Sequence, residues 1–174
     1  NKILLIGGGE SVFQHSEAIN SWIAKHNAFV VFISSKYTEI LNFNNDKSLF
    51  SIFGKELNRL PNKYFDKSTF FVSPSSNELE TNIEKLNPSR LITLDPVSQQ
   101  LSNSIVEFTI RLIINSGYNS IYFVGFDGYK NNSDKNSISL ENENIFAHFS
   151  NEIEMITLTP SSYNSLIKKS VYGG

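Results

Sequence analysis

The stretch "KILLIGGGES", residues 2–11, runs four apolar residues straight into three glycines. Four apolar residues in a row do not fit the alternation of a half-solvated strand. They fit a strand covered on both faces, in the middle of a parallel sheet. Glycines let the chain turn sharply out of that strand. The following segment, Ser11 to His26, carries Val12, Ile19, Trp22 and Ile23 near helical spacing. A strand, a glycine turn and a helix in this order lie at the C-terminal edge of the sheet, where open α/β folds bind ligands. The stretch therefore opens two readings: a turn that holds a phosphate, or a close-packed corner with no ligand.

The rest of the chain repeats the alternation of short β-type runs with amphipathic segments. Lys2–Ile6 and "AFVVFI" (28–33) read as buried strands, and "SLFSIF" (48–53) as a short one. "GKELNRL" (54–60) reads as a helical turn closed by Pro61. "STFFVSP" (68–74), "RLITLDP" (90–96), "SIYFVGFD" (120–127) and "EMITLT" (154–159) complete the strands. Helices are predicted at 77–86, at 102–116 with Gly117 just past its end, and near 144–149. The Asn/Ser-rich stretch 128–144 reads as a mobile loop, and 161–169 as a terminal helix. The prediction is one α/β domain over residues 1–174, a three-layer Rossmann-like fold with a mainly parallel sheet of about six to seven strands.

Composition narrows the function classes. At 174 residues, 40% hydrophobic and 18% charged, the chain has the make-up of an ordinary globular domain. A net charge of −2 without a basic block gives no footprint for nucleic acid or an anionic membrane. The apolar runs are far shorter than the roughly 20 residues a membrane-spanning helix needs. With no cysteine there is no disulfide or thiolate chemistry, which fits a reducing cytoplasm. Asn1 leads directly into a strand, so the expectation is a domain cut from a longer chain with something upstream.

The candidate ligand-binding residues are Gly7, Gly8, Gly9, Ser11, Asp95 and Asp127. Ser11 can cap the helix or donate to a phosphate oxygen. The glycine pattern is not a dinucleotide fingerprint: with Gly7 and Gly9 aligned, the third glycine falls on Val12, and Ser34-Ser35-Lys36 ends the second strand without an acid. No Gly-Lys-Ser/Thr follows, so it is no P-loop, and Glu10 would repel a nearby phosphate. Asp127, in "VGFDGY" (124–129), ends a central strand on the same sheet edge; it reads as a ligand for a ribose, a sugar hydroxyl or a metal-bound water, or as a turn residue between glycines. Asp95 has the matching place one strand earlier, with a turn cap as its alternative. Ser73, Ser75 and Ser76 read as loop formers. His15, His26 and His148 are too scattered to ligate a metal by spacing, and no metal site is expected. His15 reads as a solvated helix residue or, being near the glycine turn, as one that reaches a ligand; His26 reads as a helix C-terminal residue favoured by the dipole, and His148 as surface. Lys55, Lys63, Lys67 and Arg90 read as an anion site or as solvated surface. No catalytic residue or cofactor is assigned, since no Ser-His-Asp order, nucleophile elbow or carboxylate pair stands out.

Taken together, "LLIGGGES", "IYFVGFDGY" and "ITLTPSSYNSLIKKSVYG" (156–173) resemble the Rossmann-like domain that follows the barrel in HMG-CoA-lyase-like aldolases of the 4-hydroxy-2-oxovalerate aldolase type. The resemblance implies an accessory domain, not itself catalytic, behind an upstream barrel that performs metal-dependent lyase chemistry. A small phosphorylated or nucleotide ligand would then bind at the glycine turn. More loosely, the chain resembles nucleotide-using transferases of the pterin pyrophosphokinase-like and sialyltransferase-like groups. Gly7, Gly9 and Ser11 match their glycine turn, and Gly125 and Asp127 their late Gly-x-Asp, with Glu10 in place of a proline. That resemblance implies transfer from a nucleotide-activated donor. A structural or oligomerisation module with an empty crevice is the third expectation.

Overall fold

A computed structural model describes residues 2–52, 55–72, 86–93, 101–129 and 135–173. Among the described residues eight strands form one sheet: β1 (Ile3–Ile6), β2 (Phe29–Phe32), β3 (Ser48–Phe50), β4 (Thr69–Val72), β5 (Leu91–Thr93), β6 (Ser120–Val124), β7 (Glu154–Thr157) and β8 (Ile167–Lys168). Their order across the sheet is β5-β4-β3-β2-β1-β6-β7-β8, and every pairing is parallel. Among the described residues the α-helices are α1 (Ser11–Gln14), α2 (Ser16–His26), α3 (Lys55–Arg59), α4 (Ile105–Asn115) and α5 (Asn136–Phe149).

Side-chain alternation in the strands decides the layers. Leu4, Ile6, Val30, Phe32, Phe50 and Phe70 pack on one face with Val12, Ile19, Trp22 and Ile23 of α1 and α2 and Leu57 of α3. Ile3, Leu5, Val31, Leu49, Ile121 and Phe123 pack on the other with Val106, Ile110 and Ile113 of α4 and Ile145, Phe146 and Phe149 of α5. Burial on both faces explains the uninterrupted apolar run in β1, whose four residues are all buried. The chain builds outward from β1 through β2 to β5, then crosses back to place β6 on the other side of β1. With right-handed crossovers, that reversal puts the helices after β1 and after β6 on opposite faces. A crevice opens between the C-terminal ends of those two strands.

The α/β class, the three layers and the parallel sheet match the sequence expectation, with eight strands in place of six or seven. Three predictions need correction. Residues 161–169 form a loop and the edge strand β8, because Ile167 pairs with Ile156 instead of closing a helix face. Helix α5 starts at Asn136, inside the stretch read as a loop. From its middle onward it buries Asn142, Ile145, Phe146 and Phe149, and this packing overrides the weak helix preference of Asn and Ser. The first helix is also broken in two at His15, whose backbone leaves the helical region at φ −117°, ψ 20°. The helix expected at 77–86 falls, up to Lys85, outside the described residues, as do Asp95 and Ser73, Ser75 and Ser76. Among the described residues no helix is long and apolar enough to cross a membrane.

Candidate functional site

Three strand ends meet at the crevice. The Gly7 N–H donates to the Val124 carbonyl and the Gly9 N–H to the Gly125 carbonyl, both at 2.9 Å, so the turn after β1 lies directly on the turn after β6. The approach leaves no room for side chains. A Cβ on Gly7 would lie 2.5 Å from the Gly125 oxygen, and one on Gly9 2.6 Å from both that oxygen and the Asp127 carboxyl. Gly125 itself has φ +75°, a backbone region that L side chains rarely adopt.

Close contact between the turns delivers Asp127 to the start of α1. Its Oδ2 accepts the Ser11 backbone N–H at 3.0 Å, and its Oδ1 accepts the Ser11 hydroxyl. The Thr159 hydroxyl lies 3.0 Å from Ser11 Oγ and accepts the Gly125 N–H at 3.1 Å. Because the Ser11 proton goes to the carboxylate, the Thr159 proton points to Ser11 Oγ. The donors then run in one direction, from Gly125 through Thr159 and Ser11 to Asp127. Ser11 and Thr159 are buried, whereas Asp127 is partly exposed.

This arrangement weighs against a phosphate at the start of α1. The position a phosphate would take on the Ser11 N–H and hydroxyl is occupied by the protein's own carboxylate. A unit negative charge about 4 Å from Asp127 would be repelled by about 1 kcal/mol in water and about 4 kcal/mol at an effective dielectric of 20. A helix N-terminus typically returns only about 0.3–1 kcal/mol, and α1 is a single turn. Repulsion wins there. Glu10, expected to repel a phosphate, is instead turned toward the end of β2, where its Oε2 lies 3.3 Å from Lys36 Nζ and accepts the Tyr37 hydroxyl at 3.1 Å.

The crevice is a cleft of about 100 Å³ lined by the three glycines of the first turn, Gly125 to Tyr129, Ile33, Val106, Asn142 and Tyr163. Asn142 and Tyr163 are buried, and the Asn142 Nδ2 donates to the Tyr163 hydroxyl at 3.2 Å. Of the residues singled out from sequence, Gly7, Gly8, Gly9 and Asp127 line the cleft, and Ser11 lies behind Asp127. Tyr163, Asn142 and Thr159 were missed. Thr159 just past the end of β7 was open to the same strand-end argument that singled out Asp127, while Asn142 was hidden in a stretch read as loop. His15 instead hydrogen-bonds the Tyr172 hydroxyl at 2.9 Å. Lys63 pairs with Glu39 at 2.9 Å and Arg90 donates to the Lys67 carbonyl at 2.5 Å, so neither belongs to the cleft. His26 ends α2 as expected, and His148 is exposed on α5. Among the described residues no group of three His, Cys, Asp or Glu could hold a metal ion.

Beside the cleft, the start of α4 carries a wholly buried carboxylate. Glu107 accepts the backbone N–H of Leu101 at 3.0 Å and of Ser102 at 2.7 Å, the Ser102 hydroxyl at 3.1 Å, and Arg111 Nε and Nη2 at 2.9 and 2.8 Å. Burial pushes this carboxyl up, but the donors from Leu101, Arg111 and Ser102 outweigh it and hold it below the usual carboxylate range. It anchors the loop that leads into Val106 at the cleft wall. No family model, curated protein or solved structure matches the chain.

Proposed function

We propose that this domain binds part of a small nucleotide or phosphorylated ligand in the cleft between the ends of β1 and β6, as the accessory half of an aldolase-like protein. The observation that carries the reading is the placement of Asp127: a partly exposed carboxylate at the point where strand order reverses, fixed by the Ser11 N–H and hydroxyl. At about 100 Å³ the cleft is below the roughly 300–1,000 Å³ of sites that enclose a whole ligand, so it takes a fragment and leaves the remainder outside. A phosphate belongs to that remainder, away from Asp127. The aldolase-type resemblance supports the accessory role.

A second reading is supported by one contact. The two segments that resemble nucleotide-using transferases, Gly7 to Ser11 and Gly125 to Asp127, meet through the Ser11–Asp127 hydrogen bonds. The same cleft would then hold a nucleotide-activated donor that is turned over.

A thermal-shift series against nucleotides, nucleotide sugars and sugar phosphates tests both readings. A ligand at 100 times its Kd stabilises by about 2.7 kcal/mol, which raises Tm by roughly 5–10 °C for a domain of this size. Gly8→Leu should abolish the shift in a folded protein. Gly8 is exposed at the cleft, and its Cβ would meet only the Ser34 side chain, at 3.1 Å. No shift with any compound, or full binding by Gly8→Leu, refutes the site. Release of product from a bound donor distinguishes the transferase reading from simple binding.

A further inference from the structure

Resting on the reading that the cleft binds a phosphorylated ligand, we infer that this ligand enters amine first: a protonated amino group lies against Asp127, and the phosphate stays outside, toward Lys135. Among the described residues that line the cleft, Asp127 is the only charged one. Its carboxylate is partly exposed and is fixed by two neutral donors, the Ser11 N–H on Oδ2 and the Ser11 hydroxyl on Oδ1. Those donors take the paired side of the carboxylate, so the acceptor positions that remain point apart, and each suits a single donor. Among the described residues Asp127 has no ion-pair partner. Glu10 and Glu56, at the same edge of the sheet, lie 3.3 Å from Lys36 and 2.6 Å from Arg59. A partly buried carboxylate without a cation draws an ammonium more strongly than a neutral hydroxyl.

The walls suit such a group. Asn142 lines the cleft, and with its Nδ2 donating to the Tyr163 hydroxyl its side-chain oxygen is left as a neutral acceptor for a further ammonium N–H. Tyr129, 40% exposed, supplies an aromatic wall. Aromatic faces attract cations, and this ring already carries one, since Lys135 Nζ lies 5.0 Å from its centroid. Lys135 is exposed at the start of α5 and does not line the cleft. It offers a phosphate attraction outside, where Asp127 offers repulsion within. A volume of about 100 Å³, the share of roughly three waters, takes an ammonium and the carbon that bears it and leaves the rest of the molecule outside. The shared chemistry is an amine and a phosphate on one small molecule; it can come from an amino sugar phosphate or from an amino alcohol phosphate.

Calorimetry on the intact chain tests this with two pairs of probes that differ only in the amine: glucosamine 6-phosphate against glucose 6-phosphate, and phosphoethanolamine against 2-hydroxyethyl phosphate. Exchanging the ammonium for a hydroxyl is expected to weaken binding at least tenfold. That ratio in the first pair assigns an amino sugar, and in the second an amino alcohol. Asp127→Asn should bring the two members of the preferred pair to equal affinity, and the wild-type ratio decides the amine even if this variant does not fold. Lys135→Gln, at an exposed position, should weaken both members several-fold and keep their ratio; no effect on either overturns the outward phosphate. Equal affinity within both pairs, a ratio that survives in Gly8→Leu, or inorganic phosphate binding that Gly8→Leu abolishes overturns the amine at Asp127. Binding by neither pair beside a thermal shift with nucleotides also overturns the amine and leaves the cleft standing. No binding by these probes or by any compound of the thermal-shift series removes the cleft reading and the amine with it.

Discussion

Replacing Glu107 by Gln keeps the volume of a buried side chain and removes only its charge. The wild-type carboxylate is completely buried, and Arg111, its partner four residues on, is 18% exposed at the side chain. One oxygen faces Arg111 and the Leu101 N–H, and the other faces the Ser102 N–H and hydroxyl. Whichever oxygen becomes an amide nitrogen, it opposes a donor with a donor and leaves at least one buried group unsatisfied. Breaking a buried pair from one side costs about 3–5 kcal/mol, a large share of the roughly 5–15 kcal/mol of a typical domain. Urea unfolding at neutral pH measures the loss. The pH dependence gives a second, independent check. The folded carboxyl lies below its ordinary value, so unfolding takes up a proton as the pH falls toward that range. Its stabilisation is complete above about pH 4.3, the unfolded value, and disappears as the pH falls through the lower folded value. The stability gap between wild type and Glu107→Gln should therefore be widest at neutral pH and shrink in acid. A gap under about 1 kcal/mol at pH 7, or one unchanged down to about pH 3, would refute the anchoring of this loop by the Glu107 carboxylate.

Three further substitutions probe the site and its supports. Gly9→Ala places a methyl 2.6 Å from the Gly125 oxygen and the Asp127 carboxyl, and should lower Tm by roughly 5–10 °C while Gly8→Ala stays near wild type in the same thermal melts. Ser104→Ala removes the hydroxyl that accepts the Val106 N–H at 3.2 Å at the start of α4, a loss of about 1 kcal/mol readable in urea midpoints. Thr109→Val takes away a buried hydroxyl without a partner among the described residues and should leave stability unchanged or raise it by about 1 kcal/mol; a clear loss would mean the hydroxyl is satisfied after all.

The sheet was legible because its signal is local. Runs such as Ile3–Ile6 and Phe29–Phe32 are apolar at every position, and only a strand covered on both faces accommodates that. The C-terminal part of the chain was read less well for the opposite reason. In α5 the apolar residues Ile138 and Leu140 are exposed, and only the last two turns pack, so periodicity over the whole segment is weak. Strand β8 has two residues, both exposed, and exists because β7 offers it an edge, a fact of topology and not of composition. The glycine turn and Asp127 could each be placed on the same sheet edge. Their direct bonding could not, because it depends on β1 and β6 being neighbours although 113 residues lie between Ile6 and Ser120. Thr159 and Asn142 came to the site by the same route.

That bonding also changes what the glycines mean. A glycine-rich turn before a helix is commonly read as room left for a phosphate, yet two of the three glycines here are accounted for by protein alone. Gly7 and Gly9 admit the backbone of Gly125 and the carboxylate of Asp127, and would be needed if the cleft never held a ligand. Gly8 differs. It is exposed, its φ is not in the left-handed region, and the only atoms near its Cβ belong to a serine side chain that can rotate away. Packing therefore gives no reason for glycine at this one position, which lies on the lining of the cleft. A ligand that approaches the backbone closely would give one. Gly8, rather than the motif as a whole, is where the difference between a structural corner and a binding site can be measured: bulk there leaves the fold intact, and its effect on binding reads the cleft alone.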